Sequence, residues 1–193
     1  MTYEIHRYPA DLIDVVYLGG ERVVIRPILP QDEDLTSAFF GALSATARQQ
    51  RFLSAMRSLP PGLLKRLTQV DYTEHLALVA EVFRDGREMV IAEARYARGQ
   101  DRSEAEFAVS VAEPWQGLGL ARLLLGKLLE RAAFSGVRRL VGETLASNER
   151  MLKLAHSAGF AITRSLQVRG TMHLEKTLAP WPIHPAAATP AAA

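Results

Sequence analysis

The 193-residue sequence contains no cysteine, and it has no long apolar run that is free of charge. The lack of cysteine excludes disulfide bonds and thiolate chemistry, and it fits a reducing compartment. A transmembrane helix needs roughly 18 consecutive apolar residues, which no segment approaches, and no charged segment followed by an apolar run begins at Met1. We therefore expect a cytoplasmic protein without a membrane partner.

An excess of charge of either sign is lacking as well. Lys and Arg together number 23 and Asp and Glu together number 21, which gives a formal net charge of +2. This balance does not favour a nucleic-acid partner. Four arginines lie in one helical part of the sequence without aromatic residues interleaved, and we interpret them as a solvated face: Arg48, Arg51, Arg57 and Arg66.

The overall composition is that of one globular domain. Apolar residues make up 48% of the sequence and charged residues 23%, and 193 residues suffice to bury one substantial core. We predict this domain over residues 21–178 and expect residues 1–20 to lie as an N-terminal arm against its first strand. Four of the ten prolines fall in the alanine-rich residues 179–193, which are expected to be a disordered tail.

Strand and helix signals alternate along the predicted domain. A β-branched cluster predicts a first strand at 21–27, and three helical segments follow it. The Asp85-Gly86 pair favours a hairpin between strands at 75–83 and 88–97, so that these strands and the next one form an antiparallel meander. The remaining sequence predicts a helix at 119–134, a strand at 138–145, a helix at 148–158 and two short strands within 161–178.

The most informative segment runs from Glu106 to Ala121. An alternating strand at 107–111 leads through Pro114-Trp115 into a turn that contains Gly117 and Gly119, and then into a leucine-rich helix. The first N–H groups of a helix have no intrahelical acceptor and carry the positive end of the helix dipole. Glycines let an anion approach the main chain without meeting a Cβ. This order of elements predicts a site for a phosphate or diphosphate.

Three interpretations of the glycine turn compete. The first is a tight strand-to-helix connection without a ligand. A dinucleotide-binding turn needs a third glycine where Arg122 stands, together with parallel βαβ context, and the sequence offers neither. A Walker-type phosphate loop needs Gly-Lys-Ser or Gly-Lys-Thr after the turn, which is also missing.

Gln116 to Ala121 reads Gln-Gly-Leu-Gly-Leu-Ala, which matches the Q/R-x-x-G-x-G/A signature of the GNAT superfamily of N-acetyltransferases. Asn148 to Phe160 resembles the second motif of that family, in which an Asn opens a helix that ends in Gly-Phe. The two motifs lie in the order and at the separation of the family, and the resemblance covers roughly residues 22–178. It implies an α/β (α+β) GNAT fold, with a central mixed and mostly antiparallel twisted sheet of six to seven strands flanked by helices.

Five further phrases narrow the resemblance. They are, in order, Val24-Ile-Arg-Pro27, Gln31-Asp-Glu-Asp34, Arg51-Phe52, Leu67-Thr-Gln-Val-Asp-Tyr72 and Ala105-Glu-Phe-Ala-Val109. Each phrase is common alone, but their order is similar to the acetyltransferase domain of bacterial protein lysine acetyltransferases of the Pat type. This resemblance implies acetyl-CoA as the co-substrate. It also implies a protein partner with a reactive lysine, such as an acyl-CoA-synthetase-like enzyme.

The resemblance assigns ten residues to acetyl-CoA binding. Backbone N–H groups of the glycine turn would hold the diphosphate, and the preceding strand would hydrogen-bond the pantetheine arm. Asn148 would contact this arm, and it is also a good N-cap for the helix that it opens. The ten residues are Val109, Ser110, Val111, Gln116, Gly117, Leu118, Gly119, Leu120, Ala121 and Asn148.

Acetylation of a lysine needs a general base. The lysine ammonium has a pKa of about 10.4, so its deprotonation at pH 7 costs roughly 4.6 kcal/mol before the amine attacks the thioester. Glu106 matches the glutamate of the family's Ala-Glu-Phe-Ala-Val strand, and it shares a strand face with the small residues Ala108 and Ser110. Glu104 and Glu93 are the competing carboxylates. The alternative is that Glu106 is an ordinary edge-strand carboxylate paired with an arginine.

The sequence does not assign the residue that donates a proton to the leaving thiolate. Many relatives carry a tyrosine where this sequence has Ala155, so Ser157 or Tyr72 would have to substitute, or the thiolate leaves unassisted. His156 stands in mid-helix beside Lys153, and we interpret it as a surface residue. The five histidines show no metal-ligand spacing, and no metal is expected.

Three functions are compatible with these residues. The leading hypothesis is acetyl-CoA-dependent transfer to a protein lysine, with Glu106 as the general base. The closest alternative is a GNAT enzyme that acetylates a small-molecule amine, because acceptor choice is expected in the helices at 36–67 and at Asp71-Tyr72, which one sequence does not decode. A domain that binds acetyl-CoA as a sensor without turnover would have no need of Glu106.

Overall fold

A computed structural model of the chain describes residues 6–181. The predicted tail lies outside the described residues from position 182 onward, and so do residues 1–5 of the predicted arm. At the end of the described part, the ring of Trp181 packs edge-on against Phe134 with centroids 5.8 Å apart.

Eight strands and five α-helices make up the described part of the chain. The strands are β1 Asp14–Leu18, β2 Glu21–Pro27, β3 His75–Arg84, β4 Arg87–Arg98, β5 Glu104–Val111, β6 Arg139–Leu145, β7 Ala161–Arg164 and β8 Thr171–Thr177. The helices are α1 Glu33–Ala42, α2 Ala45–Phe52, α3 Pro61–Thr68, α4 Leu120–Phe134 and α5 Glu149–Ser157. Short 3-10 turns lie at Ala10–Leu12, Pro30–Asp32 and Glu113–Trp115.

The strands form one sheet in the order β1-β2-β3-β4-β5-β6-β8-β7. Every neighbouring pair is antiparallel except β5 and β6, which run parallel. The mixed, mostly antiparallel sheet predicted by the resemblance is therefore confirmed. So are the α+β class and the β3-β4-β5 meander.

The sheet has eight strands rather than six or seven because part of the arm joins it. β1 carries the strand-favouring residues Val15, Val16 and Tyr17, and it pairs antiparallel with β2. Gly19 and Gly20, with φ of +59° and +84°, connect the two strands. Positive φ at both central residues is the geometry of the commonest tight hairpin turn, so this Gly-Gly pair explains the additional strand.

The parallel pair β5 and β6 creates an opening in the sheet. Their paired register covers only Glu104 to Glu106 on β5, opposite Arg139 to Val141 on β6. Gly142 follows on β6, where an added Cβ would lie 2.8 Å from the ring of Phe107, so this glycine lets Phe107 pack against the backbone of β6. Beyond this point, residues 107–111 of β5 continue to pair with β4. The cleft described below lies along this part of β5.

Helices cover the sheet and complete the core. The leucine face predicted for α4 is buried, with Leu120, Leu124 and Leu128 at most 1% exposed. On the opposite face, α2 and α3 contact β4 through Arg51 and through the carbonyl of Leu67. Because α4 covers one face of the sheet and α1 to α3 cover the other, a ligand can reach the free edge of β5 that faces α5.

Residues 6–181 contain neither a membrane-spanning helix nor a cluster of metal-binding side chains. No helix there is both long and apolar enough to span a bilayer. Among the same residues, no group of three or more His, Asp or Glu side chains is arranged to hold a metal ion.

Candidate functional site

A cleft of about 370 Å³ lies between α2, the second half of β5, the glycine turn and α5. It brings together nine of the ten residues predicted to bind the cofactor: Val109, Ser110, Val111, Gln116, Gly117, Gly119, Leu120, Ala121 and Asn148. Leu118 is not among the lining residues. Its side chain is 41% exposed and lies toward the β1-β2 turn, where an added Cβ on Gly19 would meet it at 3.3 Å.

The glycine turn has the backbone conformation that a close anion requires. Gly117 and Gly119 adopt φ of +82° and +86°, and Gly119 is the N-cap from which α4 begins at Leu120. A Cβ added at either glycine would meet no protein atom within 4 Å, so the space above the turn is open. The free N–H groups of the first turn of α4 therefore face a volume that an anion can enter.

Side chains hold the glycine turn in place. The amide nitrogen Nε2 of Gln116 donates to the carbonyl of Val111 at 2.8 Å, and its Oε1 accepts from Arg150 of α5. The first residue of the motif thus links the end of β5 to α5, and it braces the turn from both sides.

Asn148 caps α5 as predicted. Its Oδ1 accepts from the backbone N–H of Met151 at 3.2 Å, and its Nδ2 donates to Thr144 Oγ1 at 3.2 Å. The side chain is buried and lines the cleft. The capping role is therefore confirmed, and the location in the cleft is compatible with the predicted contact to the pantetheine arm.

The wall formed by α2 and the residue before its cap was missing from the sequence prediction. Leu43, Ala47, Gln50 and Arg51 line the cleft opposite β5. Ala47, Gln50 and Arg51 are spaced so that they share one side of α2, which is the signal that would have grouped them, and Leu43 precedes the cap of this helix. The helix begins at Ser44, whose hydroxyl accepts from the N–H of Ala47 at 3.1 Å, as the predicted cap.

Cationic side chains on the other side of the cleft were also missed. Arg122 of α4 and Arg150 and Lys153 of α5 all line it and are exposed. Arg122 occupies the position where a dinucleotide-binding turn would have its third glycine. Three cations beside an open helix N-terminus favour a ligand that carries several negative charges.

Glu106 lies next to this cleft and is not one of its lining residues. It is the last β5 residue paired with β6, opposite Val141, and it shares a sheet face with Ala108 and with the cleft residue Ser110. The side chain is exposed, and it forms no hydrogen bond or ion pair with any residue between 6 and 181. A free carboxylate therefore lies at the edge of the sheet opening, on the face that carries Ser110.

The two competing carboxylates are both engaged in ion pairs. Glu104 accepts from Arg139 of β6 at 2.5 Å. Glu93 is 6% exposed, and its Oε1 accepts from Arg95 at 2.8 Å and from Arg51 at 3.3 Å. Burial by itself raises the pKa of Glu93, but the charges and hydrogen bonds of Arg95 and Arg51 outweigh this effect and lower the pKa to about 2. The low pKa of Glu93 makes it a poor proton acceptor at neutral pH, and Glu104 is held in a surface ion pair with Arg139.

The expectation that Arg51 belongs to a solvated face is wrong. Its side chain is 13% exposed, and it reaches from α2 to Glu93 on β4. Burial lowers the pKa of Arg51, and the carboxylates of Glu93 and Glu106 oppose this shift. The residue thus ties the α2 wall of the cleft to the sheet, and its charge acts on Glu106.

Arg95 continues this buried network away from the cleft. Its Nη2 donates to the carbonyl of Leu67 at 3.1 Å, and its Nη1 lies 3.2 Å from Nε2 of His75. Burial, and secondly the charge of Arg95, lowers the pKa of His75 to about 4, so this histidine is neutral at pH 7. The network joins α2, α3, β3 and β4 beneath the cleft wall.

None of the considered thiolate donors lies in the cleft. Tyr72 is buried and its hydroxyl donates to the carbonyl of Ile28 at 2.9 Å. Ser157 donates to the carbonyl of Leu154 at 2.8 Å, and His156 is exposed, as expected for a surface residue. Ala155 is fully buried.

The sequence is similar to those of known acetyltransferases. The Acetyltransferase (GNAT) family matches residues 45–160. An acetyltransferase of Pseudomonas aeruginosa is 34% identical over 141 residues, which cover 73% of this chain and 76% of that protein. The acetyltransferase Pat of Mycolicibacterium smegmatis is 34% identical over 148 residues, which cover 76% of this chain and 44% of that protein. This chain therefore spans less than half the length of that relative.

Solved structures agree with the sequence comparisons. The GNAT domain of the PAT protein of S. lividans superposes with a TM-score of 0.79 at 29% identity, covering 89% of this chain and all of that domain. The fold also matches the acetyltransferase yncA of Salmonella typhimurium, solved with acetyl-CoA, with a TM-score of 0.66 at 21% identity, over 81% of this chain and 94% of that one. The chain belongs to the GNAT family of N-acetyltransferases, which use acetyl-CoA.

Proposed function

We propose that this protein transfers the acetyl group of acetyl-CoA to a primary amine, and that the amine is a lysine side chain of another protein. One observation carries the proposal: the cleft joins an open glycine turn at one end to a sheet face that leads from Ser110 to the unpaired carboxylate of Glu106. The similarity to Pat acetyltransferases supports lysine as the acceptor.

The residues present fit a CoA ester. The N–H groups of the glycine turn and the cations Arg122 and Arg150 suit a diphosphate, because both place positive charge around an open volume. Val109, Ser110 and Val111 present a strand edge to the cleft, which is suited to an arm that contains amide groups. Asn148 extends the polar lining from the opposite wall.

Glu106 performs the first proton transfer in the proposed mechanism. The carboxylate accepts a proton from the acceptor nitrogen, directly or through one water, as this nitrogen forms a bond to the thioester carbonyl carbon. The free amine, whose formation at pH 7 costs roughly 4.6 kcal/mol, therefore need not form in advance. The carbon–sulfur bond then breaks. The nitrogen loses its second proton, and the thiolate takes up one proton from solvent, since no donor side chain among residues 6–181 is assigned to it.

Substitution of Gly119 tests the cofactor site. We expect Gly119→Val to raise the Kd for CoA about tenfold or more, because a branched Cβ enters the open volume and valine disfavours a φ of +86°. Isothermal titration with CoA measures this. Gly86→Val is the matched control, because Gly86 has a φ of +74° in the β3-β4 turn and does not line the cleft. Equal affinity in the Gly119 variant and the wild type would mean that the turn is purely structural.

An acceptor panel tests the proposed reaction. Purified protein is incubated with acetyl-CoA and either candidate proteins, including an acyl-CoA-synthetase-like enzyme, or small primary amines. Released CoA is measured with a thiol reagent, which gives no background from this chain because it has no cysteine. Mass spectrometry then locates the acetyl group, and we expect it on lysine side chains of the protein acceptors.

The outcomes of the panel separate the three functions. Acetylation of small amines alone would replace the proposal with a small-molecule acetyltransferase. Tight CoA binding without turnover on any acceptor would point to a sensor domain. Absence of CoA binding would overturn the proposal altogether.

A further inference from the structure

The chain has only four lysines, and they lie in different surroundings: Lys65, Lys127, Lys153 and Lys176. Lys153 lines the cleft on α5, whereas the other three are not among its lining residues. Lys127 pairs with Asp14 of β1 at 2.7 Å, and Lys65 is exposed on α3. The chain therefore places one primary amine of its own in the cleft that, by the proposed function, holds the acetyl donor.

Lys153 lies in the second turn of α5, between residues that also line the cleft. Asn148 stands at the start of the helix, and Leu154, which follows Lys153, also lines the cleft. Ser110 and Arg51 line the opposite side. Lys153 therefore shares this cleft with the strand edge of β5 and with the α2 wall.

Lys153 is also free to move. Its side chain is 81% exposed, and its Nζ is 3.6 Å from Oε2 of Glu149, an exposed pair one helical turn apart. Such surface pairs contribute little, so the pair does not hold the amine away from the cleft. Four rotatable bonds let the amine sample the cleft, and a tethered nucleophile reacts at a high effective concentration.

We propose that Lys153 is a self-acetylation site, modified by the acetyl donor bound in its own cleft. The inference rests on the proposed function. In this step Nζ forms a bond to the thioester carbonyl carbon, and the carbon–sulfur bond breaks. The nitrogen loses two protons, of which one neutralises the thiolate and one goes to solvent. The product is an amide at position 153, with the loss of one of the three exposed cations along the cleft.

The loss of this charge is expected to weaken CoA binding. Arg122 and Arg150 are the other exposed cations that line the cleft, since the side chain of Arg51 is largely buried against Glu93, so acetylated Lys153 leaves two exposed cations for the polyanionic ligand. Because an exposed charge interaction contributes at most about 1 kcal/mol, the Kd for CoA should rise by no more than about fivefold. Self-acetylation would therefore act as feedback on the affinity for the donor.

Mass spectrometry of the full chain tests the proposal. The protein is incubated with acetyl-CoA without an added acceptor and digested with trypsin. Acetylation blocks cleavage after Lys153, so the modified protein yields a peptide of residues 151–164 that carries one acetyl group. We expect Lys153 to be modified at least about tenfold faster than Lys65, which is exposed outside the cleft and serves as the internal control.

Three further measurements complete the test. The rate per molecule should not change with protein concentration, and a proportional increase would show transfer between copies and overturn the proposal. If Lys153 and Lys65 are modified at equal rates, both in the folded and in the urea-denatured protein, the acetylation is non-enzymatic. This result would also overturn the proposal. In Lys153→Arg the acetylated peptide should disappear. Transfer to added acceptors without acetylation of Lys153 would refute this inference alone, whereas absence of CoA binding would refute the proposed function as well.

Discussion

Replacement of Glu106 by Gln is expected to lower kcat about 10²- to 10⁴-fold, the usual contribution of a general base, with little change in the Kd for CoA. Glutamine keeps the size of the side chain and loses the ability to accept the proton. CoA affinity should be preserved because Glu106 does not line the cleft. The rate of CoA release at saturating substrate gives kcat, and isothermal titration calorimetry gives the Kd for CoA.

Glu104→Gln is the matched control for this variant. Glu104 lies two residues earlier on the same face of β5, but its carboxylate already accepts from Arg139. Its replacement removes an equal charge from the same strand face without removing the proposed base, and kcat should change less than about threefold. A comparable loss of kcat in both variants would assign the effect to the surface charge. Unchanged turnover in Glu106→Gln would refute the general-base assignment.

Replacement of Arg95 by Met is expected to lower the free energy of unfolding by about 3–5 kcal/mol. Methionine leaves the buried carboxylate of Glu93 with one partner, Arg51 at 3.3 Å, and it leaves the carbonyl of Leu67 without its donor. Removal of one partner from a buried ion pair is far more costly than the pair itself contributes, because the remaining carboxylate loses its shorter and better hydrogen bond. Denaturation by urea, followed by circular dichroism, measures the loss.

Arg139→Met serves as the control for the Arg95 variant, because its guanidinium is 47% exposed and pairs at the surface with Glu104. Loss of this pair should cost at most about 1 kcal/mol. The acid side of the pH profile gives an independent check. The pKa of Glu93 is held at about 2 in the folded state, so its pair contributes stability above the ordinary value of 4.5, and this contribution is lost as the pH falls toward 2. In Arg95→Met this part of the pH dependence should shrink, and an unchanged profile would contradict the assigned network.

The most accurate predictions concerned local backbone features. Gly119 as the start of a helix, Asn148 as an N-cap and the leucine face of α4 all depend on residues within one or two turns of each other. Their conformations follow from missing Cβ atoms, side-chain acceptors and helical spacing. Only the strand count was too low, because the hairpin at Gly19-Gly20 falls in a segment that was interpreted as an arm.

Interactions between distant residues account for what the sequence did not reveal. Arg51 and Glu93 are 42 positions apart, and Glu104 and Arg139 are 35 apart. The sequence does not distinguish a buried arginine in an amphipathic helix from an exposed one, nor does it show which of three glutamates on neighbouring strands is paired. Which of them is buried, paired or free depends on the register of the strands and on the helix packed above them.

The sequence by itself determined the family, the mixed sheet and the glycine turn at the start of α4, because each rests on short-range patterns of glycine, asparagine and alternating apolar residues. Only the tertiary structure decided that Glu106 is unpaired while Glu93 and Glu104 are engaged, and that α2 closes the cleft with Arg51. It also decided that Lys153 lies in that cleft. The physical reason is that the protonation and reactivity of a charged group depend on its burial and its partners, which folding brings together from distant parts of the chain.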